Sequence, residues 1–378
     1  MSGRFTVVYH VFGDAGSIEA RAKGIAVEQS VEMPLAAIDD SYVLSGIVGS
    51  VTGIADLGDG LFEVRIDLAT DTVGADAGQF MNMLFGNTSL QDDVTLRDVI
   101  LPQDLLQAFG GPRHGIAGLR QRLRLHHRAM SGSALKPQGL PAKRLALLAE
   151  HMARGCLDFI KDDHGLADQD YSRFAERVSA CAAAVRQATV ATGHPTRYIP
   201  SLSGSLDDMR RQAALARDEG VDCLMLAPMV CGVSNMQALV RAFPDMAFFA
   251  HPSLGGAARI APDLLIGKLF RLFGADAVIF PNYGGRFGYS PQTCLQLAVN
   301  ARTIDDGLRA ALPIPAGGMT IERTGEILDF YGEDTMLLIG GSLLLARDQL
   351  IWEAERFARA VADHSLERDG GDGHRERA

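Results

Sequence analysis

The chain has 378 residues, 47% of them hydrophobic and 22% charged, with a formal net charge of -10 and a mean hydropathy of +0.07. Such a composition excludes a largely disordered chain, and the length exceeds what one small core needs; the negative charge argues against a nucleic-acid partner, which requires a basic stripe. The sequence contains neither an unbroken apolar stretch of about 18 residues nor an apolar leader, so no membrane partner is expected and a cytoplasmic location is.

In chain order, Phe5 to Val11 alternates as a strand and Ser17 to Glu28 has helical spacing. Extended runs around Ser45 to Gly53 and Gly60 to Ile66 are separated by the turn residues Asp56, Gly58, Asp59 and Gly60. These predict a small α+β domain over residues 1–115. Past the basic stretch Arg120 to Arg128, short apolar runs alternate with helical segments. The runs are Met130 to Leu135, Cys156 to Ile160, Arg197 to Leu202, Cys223 to Met229, Met246 to Ala250, Ala277 to Phe280, Pro313 to Ala316 and Met336 to Ile339. Eight βα units in about 230 residues predict an α/β chain in which residues 116–364 form a (β/α)8 barrel. Residues 365–378, polar and glycine-bearing, are expected to be a disordered tail. The five cysteines are scattered with no C-x-x-C pair and read as reduced thiols.

Barrel active sites are built from the loops that follow the strands, so the residues after each run are the candidates. After the first run stands Lys136, either a tuned proton carrier or an ordinary surface lysine. Following the second, Lys161, Asp162, Asp163 and His164 place an amine, two carboxylates and an imidazole in one turn; this suits a metal site, and equally a solvated cluster or helix cap. His251 follows the fifth run, and Asn282 to Arg286 form a glycine-bearing loop after the sixth. Gly317 and Gly318, then Gly340 and Gly341, follow the last two runs, where barrels commonly bind a phosphate on backbone N–H groups. No P-loop, zincin helix or dinucleotide fingerprint occurs.

The succession ALKP, GCLDFIKDDH, a histidine, AGG and IGGS after the first, second, fifth, seventh and eighth runs resembles the RuBisCO large-subunit superfamily. IAVEQSVEMP, Phe85-Gly86-Asn87 and GPRHGI at 111–116 carry the resemblance over nearly the whole chain. It implies an α+β, ferredoxin-like N-terminal domain before the barrel, and a homodimer in which Glu28 and Asn87 complete the partner's site. It further implies that Lys161 takes up CO2 as a carbamate and, with Asp163, holds Mg2+. His164 stands where the family has a glutamate, which would weaken Mg2+ binding or admit Mn2+. Lys136 matches the lysine that moves the enolisation proton, His251 a histidine near the reacting carbons, and the four glycines a phosphate site.

Departures from the pattern narrow the activity. Phe287 takes the place of the mobile-loop lysine of the carboxylating enzymes, with Arg286 beside it as the candidate substrate contact. Pro252 and Phe280 replace an arginine and a histidine of the second phosphate site, Gln138 a lysine and Ala316 a serine. A RuBisCO-like protein of the non-carboxylating form IV, acting on a small monophosphate, is therefore expected. The KDDH string with VEQSVEMP resembles the group that decarboxylates, or transcarboxylates and hydrolyses, 3-oxo-isoapionate 4-phosphate, a metal-dependent lyase or hydrolase of carbohydrate catabolism. The alternatives are 5-methylthioribulose 1-phosphate isomerase and diketo-methylthiopentyl phosphate enolase. From other classes come a Schiff-base aldolase using Lys136 or Lys161 and a non-catalytic scaffold.

Overall fold

The structure, a computed structural model, describes residues 3–304 and 307–372. Strands β1 (Arg4–Phe12), β2 (Ser50–Gly58), β3 (Leu61–Ala69) and β4 (Val94–Ile100) form an antiparallel sheet in the order β2-β3-β1-β4. Helices Ile18–Glu28 and Ala77–Phe85 make the connections, giving the ferredoxin-like arrangement. The run expected from Ser45 starts late: Val43–Ile47 is a helical turn, and the strand runs from Ser50 to Gly58, past Asp56. This edge strand buries neither face, so no alternation marks it. Strand β4, not foreseen, has a register shift opposite Val8 and Tyr9 that leaves Arg97 without a partner in the ladder. The Arg97 guanidinium instead reaches both oxygens of Asp263 at 2.8 and 2.9 Å, tying the sheet to the barrel.

The barrel strands are β5 (Met130–Leu135), β6 (Phe159–Asp162), β7 (Arg197–Ile199), β8 (Cys223–Leu226), β9 (Ala247–Ala250), β10 (Ala277–Pro281), β11 (Leu312–Ala316) and β12 (Met336–Ile339). They pair in parallel in the order β7-β6-β5-β12-β11-β10-β9-β8. The ring closes where the Leu202 N–H donates to Met225 O at 2.8 Å and the Met225 N–H to Pro200 O at 2.9 Å. Strand β6 begins three residues later than expected, because Cys156 has a φ of 61° and serves as a turn residue after the preceding helix. The strand also ends two residues later than expected, so Lys161 and Asp162 are strand residues rather than loop residues.

Side chains alternate across each strand. Met130, Phe159, Phe249, Ile279, Ile314 and Leu338 face one another inside the barrel, and Ile116, Leu119 and Leu123 of helix Gly115–Leu123 join that cluster. Buried Asp276, just before β10, accepts from the His114 and Gly115 N–H groups at 2.6 and 2.7 Å and so anchors the start of this helix. The last helix runs Leu350–Asp372, so the tail expected from Ser365 begins as helical backbone; no proline interrupts it, and residues 373–378 lie outside the described part. No described helix is long and apolar enough to cross a membrane.

Candidate active site

Strand parity assembles the site. Counting by twos from interior Phe159 gives Lys161 and Asp163; from Phe249, His251; from Met130, Lys136; from Leu338, Gly340. These positions therefore stand above the apolar plug at the C-terminal ends of the strands, where barrel enzymes place their chemistry. The Lys136 ammonium donates to Asp163 Oδ1 at 2.6 Å, and His164 Nδ1 lies 3.4 Å from the same oxygen. The imidazoles of His164 and His251 stack 4.3 Å apart, 8° from parallel. The side chains read from the loops after the first, second and fifth runs thus meet in one cluster.

Lys161 is 3% exposed, and its ammonium donates to Asp162 O at 2.7 Å. Burial, reinforced by the Lys136 charge and opposed by Asp163 and Asp162, brings its pKa down to about 8. Burial alone would raise the Asp163 carboxyl; hydrogen bonds from His164 and Lys136 and the charges of both lysines outweigh it and hold the group well below the usual carboxylate range. His251 is pushed down to about 2, chiefly by burial and then by the Lys161 charge, so its ring is neutral. The Ser253 N–H donates to His251 Nδ1 at 3.3 Å, which leaves Nε2 carrying the ring proton.

Asp162 points the other way, into the helix layer. It is wholly buried and accepts from Arg177 Nε at 3.0 Å, the Tyr198 hydroxyl at 2.7 Å and the Ser201 N–H at 3.1 Å. Arg177 also donates to the carbonyls of Ser172 at 2.7 Å and Ala167 at 2.8 Å. Of the two acidic residues in the KDDH string, one fixes the strand end and the other faces the site. Arg177 and Tyr198 escaped sequence reading because only the folded chain brings them to Asp162.

The two double-glycine turns are neighbours, since the Ser342 hydroxyl donates to Met319 O at 2.8 Å. Gly317 and Gly318 have φ of 92° and 67°, which favour glycine on conformational grounds. At Gly340 and Gly341 neither φ is positive, and a Cβ would meet nothing within 4 Å. Protein packing therefore does not demand glycine there, whereas close approach of a ligand to the backbone would. Arg286, next to Gly285, lies over the Phe287 ring at 5.0 Å, and Phe287 is 50% exposed. Phe280 packs outward on Tyr331, with ring centroids 6.0 Å apart, because its parity faces the helices; the interior residue of β10 is the equally apolar Ile279. Asn87 donates to Glu28 at 3.0 Å and also binds Glu32, a residue not singled out from sequence.

Among the described residues no group of three His, Cys, Asp or Glu side chains is arranged to hold a metal. Asp163 and His164 supply two donors, and a carbamate on Lys161 would supply the third. A buried amine with a pKa of about 8 is partly neutral near pH 7.5, as attack on CO2 requires, so the residues fit the expected Mg2+ and carbamate.

Residues 115–280 match the family Ribulose bisphosphate carboxylase large chain, catalytic domain. The chain is 59% identical over 363 residues to 5-methylthioribulose-1-phosphate isomerase of Rhodospirillum rubrum, covering 96% of this chain and 97% of that protein. The chain belongs to the RuBisCO-like proteins. The crystal structure of a RuBisCO-like protein from Rhodopseudomonas palustris superposes with a TM-score of 0.90 at 51% identity, covering 96% of this chain and 99% of that one. At 29% identity over 384 residues, 95% of this chain and 92% of the relative, it also matches 2,3-diketo-5-methylthiopentyl-1-phosphate enolase of Geobacillus thermodenitrificans. Two of these relatives bear the names expected as alternatives, an isomerase and an enolase.

Proposed function

We propose that this RuBisCO-like protein is a metal-dependent isomerase of a ketose monophosphate, with 5-methylthioribulose 1-phosphate as substrate. The Lys136–Asp163 contact beside buried Lys161 supports the reaction type. The observation that carries the substrate is the 59% identity, along the full length, to a protein named for that isomerisation. That identity favours it over the acid-sugar phosphate suggested by the KDDH string. Isomerisation removes a proton from a carbon beside the carbonyl, leaves its electron pair as the double bond of an ene-diol, protonates the carbonyl oxygen, and reverses these events at the neighbouring carbon. A hard divalent ion, when bound by Asp163, His164 and carbamylated Lys161, supplies the charge that stabilises the ene-diolate.

The chain's own groups do the rest. Lys136 carries the carbon proton, and Asp163 holds its ammonium in place between transfers. Neutral His251 presents Nε2–H as a hydrogen-bond donor to a substrate oxygen. The glycine turns at 317–318 and 340–341 bind the phosphate on backbone N–H groups. Apolar Ile279 and Pro252, with Phe287 on the loop, leave neither a second phosphate anchor nor a lysine for a carboxylated intermediate, so ribulose bisphosphate is not carboxylated. The enzyme works as a homodimer, with Glu28 and Asn87 completing the partner's site.

The test offers the enzyme, with Mg2+ and bicarbonate, either 5-methylthioribulose 1-phosphate or 3-oxo-isoapionate 4-phosphate and follows products by mass and 13C NMR. The proposal expects a new sugar phosphate of unchanged mass from the first. Release of CO2 or glycolate from the second, with the first untouched, would replace the isomerase with the acid-sugar reading.

A further inference from the structure

The loop after β10 and the turn after β11 are in backbone contact. A Cβ at Gly318 would lie 2.9 Å from Gly285 Cα and 3.2 Å from Gly284 O, and one at Gly285 would lie 3.2 Å from Gly317 C and O. Such an approach tolerates no side chain, and something must hold it. Arg323, one turn further on, reaches both partners. Its Nη1 donates to Gly318 O at 3.0 Å, while Nε and Nη2 engage Glu326 at 3.1 and 2.9 Å. The same Glu326 accepts from the Tyr283 hydroxyl at 2.9 Å, and the Arg323 guanidinium lies over the Tyr283 ring at 5.7 Å. Tyr283 in turn packs on Phe330, with centroids 4.8 Å apart, and the Asn282 N–H donates to Ala316 O at 2.9 Å.

We infer that Arg323, with Tyr283 and Glu326, is a positioning device that sets the Gly317–Gly318 turn for an anion and ties it to the loop after β10. The inference rests on the proposed phosphate role of that turn. Three of the five Arg323 N–H groups are spent on Glu326 and Gly318 O, and Glu326 offsets its charge, so the role inferred is positioning of the turn. It acts by holding the Gly318 carbonyl, which fixes the plane of the Gly318–Met319 peptide and so the direction of the Met319 N–H. The expected loop after the sixth run is accordingly pinned at its base, at Tyr283, and reaches solvent further on, at Arg286 and Phe287.

Two readouts separate this inference from the choice of substrate. The first is protection by inorganic phosphate, the rise in unfolding temperature as phosphate is added to the full-length protein, which does not depend on the reaction. The second is steady-state turnover of 5-methylthioribulose 1-phosphate. Arg323→Ala is expected to abolish most of the phosphate protection and to raise KM about tenfold, with kcat changed less than about threefold, as loss of a charge-assisted contact that serves binding should do. Arg323→Lys, which retains one donor for Gly318 O, should recover part of both. Tyr283→Phe keeps the arginine–glutamate pair and should fall between.

A variant that unfolds at lower temperature, yet keeps wild-type phosphate protection and KM, would show a stabilising role only and overturn the inference. Wild-type protein without phosphate protection would remove the turn as an anion site, and the inference with it. Phosphate protection that is lost in Arg323→Ala, in a protein inactive on the methylthio sugar, would sustain the inference and refute the isomerase.

Discussion

Replacing Asp162 by Asn changes one oxygen to nitrogen beneath the candidate site. The carboxylate and the Arg177 side chain are both fully buried, and Asp162 accepts three hydrogen bonds there. The variant leaves the buried guanidinium without a counter-charge, and points an amide donor at one or two of the three existing donors. Breaking a buried ion pair by removing one partner costs about 3–5 kcal/mol. At about 2.1 cal/mol/K per residue, unfolding a chain of 378 residues carries an entropy of about 0.8 kcal/mol/K, so Tm should fall by about 4–6 °C, read by calorimetry or circular dichroism. Arg177→Met alone should be similarly damaging, and the double variant should lose less than the sum of the singles, since neither ion is then left unpaired. A loss in Asp162→Asn below about 1 kcal/mol would refute the idea that this pair fixes the strand end carrying Lys161.

Gly341→Ala should leave stability within about 0.5 kcal/mol, because nothing lies within 4 Å of the added Cβ, yet should raise KM for a phosphorylated substrate; an unchanged KM in kinetic assays would count against phosphate contact at that turn. Asp158 is buried and accepts from Arg128 at 2.7 Å through both oxygens. Although burial alone would raise its pKa, His194 and Arg128 hold it below the ordinary value. The stability it contributes is therefore fully present above the unfolded value of about 3.9 and is lost as pH falls through the depressed folded value. Asp158→Asn should flatten the decline of stability below pH 4 in acid unfolding curves. Chelation of divalent ions should stop turnover, and Lys161→Ala should remove both turnover and any stimulation by bicarbonate, followed in the same NMR assay.

The fold was legible where burial imposes a period. Strands β5 and β12 begin and end where the sequence predicts. It was illegible where pairing breaks the period: in β4, Val94 and Leu96 share one parity and Val99 has the other, because Arg97 bulges out of the ladder. Of the site, Lys136, Asp163, His164 and His251 were readable from their place after apolar runs. The opposite directions of Asp162 and Asp163 were not, since they depend on where β6 ends, and that boundary is set by Arg177, fifteen residues away. Arg323 carried no motif; its meaning comes from the meeting of two loops.

The most direct test of the central claim compares wild type with Lys136→Met on 5-methylthioribulose 1-phosphate, with Mg2+ and bicarbonate, by 31P NMR time course. If Lys136 carries the proton, the wild type converts the substrate to an isomeric phosphate, and the variant, equally folded, is slower by about 10²–10⁴-fold. Isomerisation by the variant at the wild-type rate, or a wild type that leaves this substrate unchanged, would contradict the account.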